Sequence, residues 1–153
     1  MNARQTTMAK AQDLAETWYE LDAAGQIVGR FAARVATLLR GKHLPNFTPH
    51  ADHKIHVIIK NADKAVFTGD KLVSKKYYWH SRYRTGLKSE TAGALLERRP
   101  EEVLRRAIHG MLPKNRLGSV MDRHVRIYKS GEYTGQHAAQ QPQVIDIQTR
   151  ETV

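Results

Sequence analysis

The sequence predicts an α/β fold, and three observations point to it. Strand-like runs alternate with helical patterns along the chain. The run Ile55-His56-Val57-Ile58-Ile59-Lys60 is nearly continuously apolar at its centre, as expected of a strand covered on both faces in a parallel or mixed sheet. Of the 153 residues, 41% are hydrophobic and 26% charged, which supplies one real core and about one domain.

The elements follow in chain order. Residues 1–16 are polar, show no core pattern and read as a mobile N-terminal extension. Trp18 to Asp22 reads as a strand, and Ala24-Gly25 as the turn that ends it. Gly29 precedes a helix over Arg30 to about Arg40. In it Phe31, Val35, Leu38 and Leu39 fall within an arc of roughly 100°, while Arg30, Arg34 and Thr37 form the adjacent stripe. Gly41 ends this helix. Lys42 to Lys54, with Pro45 and Pro49, is a loop, and the strand Ile55 to Lys60 follows. Lys64 to Thr68 reads as a short strand or helical turn, Gly69-Asp70 as a turn, and Lys75 to His80 as extended chain. Glu90 to Arg99 is expected to be a short helix. Pro100 suits the first position of the next one, whose first turn holds Glu101 and Glu102 where the helix dipole favours negative charge. Val103, Leu104, Ala107, Ile108 and Met111 share its inner face; Arg105, Arg106 and His109 lie opposite, and Gly110 and Pro113 stop it. Leu117 to Arg123 reads as a helical turn and Val125 to Tyr128 as a last strand. The folded part is thus expected over residues 17–130, with an extended polar tail over 131–153. No internal repeat and no long Gly-, Ser- or Pro-rich linker interrupts it.

Charge narrows the class of partner. Lys and Arg total 25 against 15 Asp and Glu, a net charge of +10, with a pI near 10.0. Residues 1–22 are net −2, 23–88 net +10, 89–130 net +4 and 131–153 net −2. The excess therefore belongs to the folded part and not to a basic tail. A solvated surface explains many cations, but not an excess of 14 over 108 residues. Polyanions, and nucleic acid in particular, are the expected partners.

Other classes lose support. The absence of cysteine removes a disulfide scaffold, thiolate metal sites and a cysteine nucleophile. No apolar run approaches the roughly 20 residues of a membrane span. The first residues lack the apolar stretch of a signal peptide, so the expected location is the cytoplasm. The phosphate-loop pattern fails at both ends, with Ala36 at its first glycine and His43 after Gly41-Lys42. Ser74, Ser81, Ser89, Ser119 and Ser130 lie in no Gly-x-Ser-x-Gly elbow. His50, Asp52, His53 and His56 are the densest group of metal-ligand types. His56, however, sits inside the predicted strand, where side chains three apart point to opposite faces. These are read as loop histidines or hydrogen-bond donors to phosphate. No metal, cofactor, catalytic residue or small-molecule substrate is expected.

Basic and aromatic residues interleave more distinctively. Lys75, Lys76, Tyr77, Tyr78, Trp79, His80, Arg82, Tyr83, Arg84 and Lys88 crowd into 14 residues. Cations can neutralise phosphates and rings can stack on unpaired bases. As a strand, the segment is expected to bury two of its four rings. Lys114, Arg116, Arg123, Arg126 and Lys129 make a second cluster, of the kind that positions a protein on a nucleic-acid backbone.

At these residues the sequence resembles the bacterial family of large-subunit ribosomal protein "L thirteen". The resemblance is carried by an ordered set of pieces. They begin with Trp18-Tyr19 and Leu21-Asp22-Ala23, then Gly29-Arg30 and Leu39-Arg40-Gly41-Lys42-His43, then Phe47-Thr48-Pro49-His50. Asn61-Ala62-Asp63-Lys64, Thr68-Gly69 with Lys71, Tyr77-Tyr78, Gly86-Leu87-Lys88 and Arg98-Arg99-Pro100 follow. Gly110 to Lys114 with Leu117-Gly118, Val125 to Tyr128, and His137 to Pro142 complete it, over about residues 17–147. The resemblance implies a three-layer α/β/α domain with a small, mostly parallel sheet. It implies binding to large-subunit ribosomal RNA, early assembly into that subunit, contacts with neighbouring ribosomal proteins, and no catalysis. The implied contacts map onto Arg30, Arg34, Arg40, Lys42, His43, Lys71, Lys114 and the segment from His137 to Gln141. Arg82, Arg84 and Thr85 depart from the family, which is commonly glycine-rich there; His53 and His56 are also atypical. Two other readings stand beside this one. One is a metal-dependent RNA-processing nuclease using His50, Asp52 and His53; the other is a free messenger-RNA-binding regulator.

Overall fold

A computed structural model describes residues 14–133 and 140–145. Its centre is a sheet of four parallel strands in the order β5-β2-β1-β6. The strands are β1 (Thr17–Asp22), β2 (Ile55–Lys60), β5 (Val125–Ile127) and β6 (Gln143–Val144). Helix α1 (Val28–Leu39) connects β1 to β2. Between β2 and β5 lie α2 (Lys71–Ser74), a hairpin of β3 (Lys76–His80) and β4 (Leu87–Thr91), and then α3 (Ala92–Arg98), α4 (Pro100–Met111) and α5 (Arg116–Arg123). A mostly parallel sheet flanked by helices is the architecture the sequence predicted.

Strand alternation divides the sheet into two faces. Tyr19, Leu21, Ile55, Val57, Ile59 and Val125 join one core with Phe31, Val35 and Leu39 of α1, Val103, Leu104 and Ile108 of α4, and Met121 of α5. Each fully buried apolar side chain of this set contributes roughly 1.5–3 kcal/mol. The alternate positions face the other way. There Ile58 is fully buried, Trp18 stacks on His56 with centroids 4.3 Å apart, and His56 lies 4.3 Å from the ring of His124. Glu20 is buried on this side but well partnered. It pairs with Lys60 and accepts a 2.6 Å hydrogen bond from the Tyr133 hydroxyl. That bond pushes the Tyr133 pKa up to about 12. The chain leaving β5 is thereby tied across this face before it reaches the opposite edge of the sheet.

Several boundaries differ from the sequence reading. Helix α1 starts at Val28, two residues early, because the Val28 amide donates to the carbonyl of Val66 across a bridge between Ile27 and Val66. In the segment 64–68, Lys64 ends a 3₁₀ turn over Ala62–Lys64 and Val66 alone makes that bridge. The one-turn helix α2 was not anticipated. The helix expected from Glu90 begins at Ala92; residues 87–91 are instead strand β4, paired antiparallel with β3. Thr91 ends the strand and caps α3, its hydroxyl accepting from the Ala94 amide. Residues 1–13, 134–139 and 146–153 lie outside the described residues, and most of the two expected extensions lies there. Leu14 is 8% exposed and Glu16 accepts from the Trp18 indole, so the end of the first segment packs on the domain.

Two histidines make the fold sensitive to acid. Burial and the neighbouring His53 lower the pKa of His43, whose Nε2 meets the Tyr19 hydroxyl at 3.1 Å. Burial, His124 and Arg126 lower that of His56, against the opposing pull of Glu16 and Asp52. The unfolded chain therefore binds more protons than the folded one once pH drops through the ordinary histidine value of roughly 6.5. Stability should fall from there and level off below the folded values. Glu20, lowered by Lys60 and Tyr133 despite its burial, adds a second loss below the ordinary carboxylate range. Thermal melting between about pH 7.5 and 5.5 checks the first step. The midpoint should drop, and less so for His43→Gln; a midpoint flat across that window would refute it.

Candidate nucleic-acid interface

The N-terminal end of α1 and the C-terminal half of α4 frame a basic groove. It encloses about 660 Å³ and is lined by Ile27, Val28, Gly29, Arg30, Phe67, Thr68, Lys71, Lys75, Arg106, Ala107, Gly110 and Met111. Four cations line it and no carboxylate does. Each arrives by a different route. Arg30 comes from the first turn of α1, which has no side-chain cap and no acidic residue. Lys71 begins α2 and donates to the Thr68 hydroxyl at 3.1 Å. Lys75 follows α2, with its ammonium 5.4 Å from the centre of the Tyr77 ring. Arg106 reaches across from α4. Its guanidinium bonds Glu102 at 2.7 Å and lies 5.4 Å from the same ring. Burial raises the Tyr77 pKa, with Arg106 opposing, so this ring is a neutral wall between two cations.

The groove continues along α1. A second hollow of about 190 Å³ is lined by Ala33, Ala36, Thr37, Arg40, Lys42 and Met111. Met111 lines both and is 43% exposed. Arg40 leans toward Phe47, 6.0 Å from the ring centre. The stripe predicted on α1 thus splits: Arg30 lines the first hollow and Thr37 the second, while Arg34 is exposed but lines neither. Arg40, a separate candidate, lines the second hollow as well.

The remaining sequence candidates fall into other places. Lys76, His80, Arg82 and Arg84 are exposed on the β3–β4 hairpin, away from the groove lining. Lys114 donates to the His109 carbonyl at 2.9 Å, at the C-terminal end of α4. Arg116 opens α5, and Arg123 ends it. Arg126 projects from β5 on the face of His56 and bonds back to the carbonyls of Arg123 and Val125. His43 turns inward to Tyr19, and its Nδ1 is buried with no partner among the described residues. His137 lies outside the described residues.

The group His50, Asp52, His53 and His56 does not converge. His53 is 1% exposed, stacked on Phe47 at 5.9 Å and packed against Gly41. His50 is exposed, and Asp52 accepts from the Lys54 amide. Among the described residues no three metal-ligand side chains gather. Of the four hairpin rings only Tyr77 packs against the core, where two were expected. Trp79 instead covers a hollow of about 360 Å³ with Glu90, Leu95, Arg98, Arg99, Glu102 and Arg106.

Arg106 is the groove residue that sequence reasoning missed. Its spacing from Glu102 is that of an ordinary helix-surface ion pair. Only the packing of α4 on α1 brings it opposite Arg30.

A family model described as "Ribosomal protein L13" matches residues 16–134. The chain is 48% identical over 144 residues to a protein of Thermotoga maritima named Large ribosomal subunit protein uL13, covering 94% of this chain and 95% of that one. It is 51% identical over 138 residues to the protein of the same name from Heliobacterium modesticaldum, with 90% and 94% covered. For that of Geobacillus kaustophilus the identity is 48% over 144 residues, with 94% and 98% covered.

Proposed function

The chain belongs to the ribosomal protein L13 family, and on that premise we propose that it binds large-subunit ribosomal RNA through the groove between α1 and α4. It is a structural ribosomal protein and not an enzyme. In this reading it sits in the cytoplasm as part of the large subunit, joins that subunit early in assembly and touches neighbouring ribosomal proteins there.

The observation that carries the RNA reading is the convergence of Arg30, Lys71, Lys75 and Arg106 on one groove without a carboxylate in its lining. Phosphate oxygens are the ligands such a groove suits, because guanidinium and ammonium groups bond them with charge assistance. The uncapped start of α1 adds amide donors and the positive end of the helix dipole at one end of the groove. Contacts of this kind fix position and register on a backbone and do not read base sequence. A component that holds folded RNA in place needs that kind of contact.

A tagged copy expressed in cells tests the proposal. After a moderate-salt wash it should sediment with the large subunit in a sucrose gradient. Recovery at the top of the gradient, with untagged subunits intact, would overturn it.

A further inference from the structure

We infer that the outer face and tip of the β3–β4 hairpin form a second RNA site, one that takes unpaired nucleotides. The inference rests on the RNA-binding reading above and adds to it a class of RNA that the groove does not select.

The cross-strand register decides which side chains are available. Tyr77 pairs with Glu90, and Trp79 with Lys88. These define the inner face, where Tyr77 packs on the core and Glu90 pairs with Arg98. The alternate set faces outward: Lys76, Tyr78 and His80 on β3, Leu87 and Ser89 on β4. Tyr78 is 60% exposed and Leu87 64%, and at the tip Tyr83 is 79% exposed. These exposed rings are set among Lys76, His80, Arg82 and Arg84. From Lys71 to Ser89 the chain has no acidic residue, and the one carboxylate of the hairpin is on its inner face, already paired.

The tip geometry adds a separate argument. Arg82 and Thr85 adopt φ of +67° and +58°, the left-handed region that costs a residue with a β-carbon. Glycine at either position would relax the backbone. The loop is instead held in shape by local bonds. The Arg82 amide donates to His80 Nδ1 at 2.9 Å, the Ser81 amide to the Gly86 carbonyl at 3.0 Å, and the Gly86 amide to Tyr83 at 2.9 Å. Because Nδ1 of His80 accepts, the proton of its neutral ring sits on Nε2, which is left as a donor. The loop thus holds a cation at a strained position beside an exposed ring.

Rings and cations together select the ligand. A ring stacks on a base only where that base is unpaired and splayed, which excludes the interior of an A-form duplex. Phosphates of the same strand pair with the flanking cations. A protein partner would have to cover several cations without a carboxylate on this face to help match them.

The test uses the full chain with two probes: an unstructured single-stranded RNA of mixed adenosine and uridine, and an RNA duplex of equal length. Tyr78→Ala with Tyr83→Ala should weaken single-strand binding about tenfold or more, since each base stack is worth roughly 1–3 kcal/mol. Duplex binding should stay within about twofold, because the groove is untouched. Tyr78→Phe with Tyr83→Phe keeps both rings and should restore the single-strand affinity. Arg82→Gly should lower single-strand affinity while leaving thermal stability equal or higher. Equal losses on the two probes, or no loss with the alanine variant, overturn the inference and leave the RNA-binding reading intact. Normal binding of both probes by an alanine variant that washes off ribosomes would assign the face to a protein neighbour, which also overturns it. Failure of the unaltered chain to bind either probe is the result that counts against RNA binding itself.

Discussion

Replacing Arg30 and Lys71 with glutamate should weaken RNA binding by about a hundredfold or more. A hydrogen bond to a charged group contributes roughly 1.5–3 kcal/mol, so two lost phosphate contacts remove at least about 3 kcal/mol, and the new carboxylates repel the backbone as well. The salt dependence should change with the affinity. Each phosphate contact contributes roughly 0.7–0.9 to the slope of log affinity against log salt, so the double variant should be shallower by about 1.4–1.8. Both side chains are exposed and line the same groove, and neither belongs to the core, so the fold should survive. Arg106 is a poorer target, because its reversal would also break the bond to Glu102 and place a carboxylate over Tyr77. A variant with Lys64→Glu and Arg105→Glu carries the same change in net charge at exposed positions outside the groove. Filter binding across a salt series compares the two. If the control loses as much affinity as the groove variant, or the groove variant keeps its full slope, the groove is not where phosphates bind.

The parts of the fold that were legible in the sequence are those whose hydrophobic pattern is imposed by burial. Strand β2 came out with its observed bounds because Val57, Ile58 and Ile59 are all buried, Val57 and Ile59 on one face and Ile58 on the other. Helices α1 and α4 announced themselves through Phe31, Val35 and Leu39, and through Val103, Leu104 and Ile108. Strand β4 left no such trace. Leu87 and Ser89 face outward and Lys88 is exposed, so neither a period of two nor one of 3.6 marks the segment. Its pairing with β3 decides its conformation. The candidate site divides in the same way. Net charge and the basic–aromatic run were readable as composition, and Arg30, Lys71 and Lys75 were named. The fourth cation of the groove depends on the packing of two helices far apart in sequence. His43 failed as a surface candidate for a related reason. Its role is set by Tyr19, 24 residues earlier in the chain, on the far side of α1 in sequence.

Gly118 should prove one of the least replaceable residues for stability. It is the third residue of α5, and a β-carbon built on it would lie 1.8 Å from the Pro113 carbonyl oxygen and 2.9 Å from the carbonyl carbon. Both are backbone atoms, so no side-chain rotation relieves the clash. Either the turn after α4 opens or α5 lifts. Lifting it withdraws Met121 from the core and disturbs the cap in which Asn115 Oδ1 accepts from the Gly118 amide at 2.8 Å. Overpacking of this kind costs typically about 1–3 kcal/mol. Loss of the cap costs about 1 kcal/mol more. Alanine returns about 1 kcal/mol of helix propensity. Gly118→Ala should therefore cost about 1–3 kcal/mol, a sizeable part of the roughly 5–15 kcal/mol that holds a domain together. Gly110, inside α4, is the matched control, since a β-carbon there meets nothing within 4 Å. Gly110→Ala gains the same propensity without the clash and should stabilise by up to about 1 kcal/mol. Urea titration of the two variants should move the midpoint in opposite directions. A Gly118→Ala variant as stable as Gly110→Ala would mean that α5 does not seat on Pro113. Val125, one residue beyond the cap of α5, would then need some other anchor to hold β5 at the edge of the sheet.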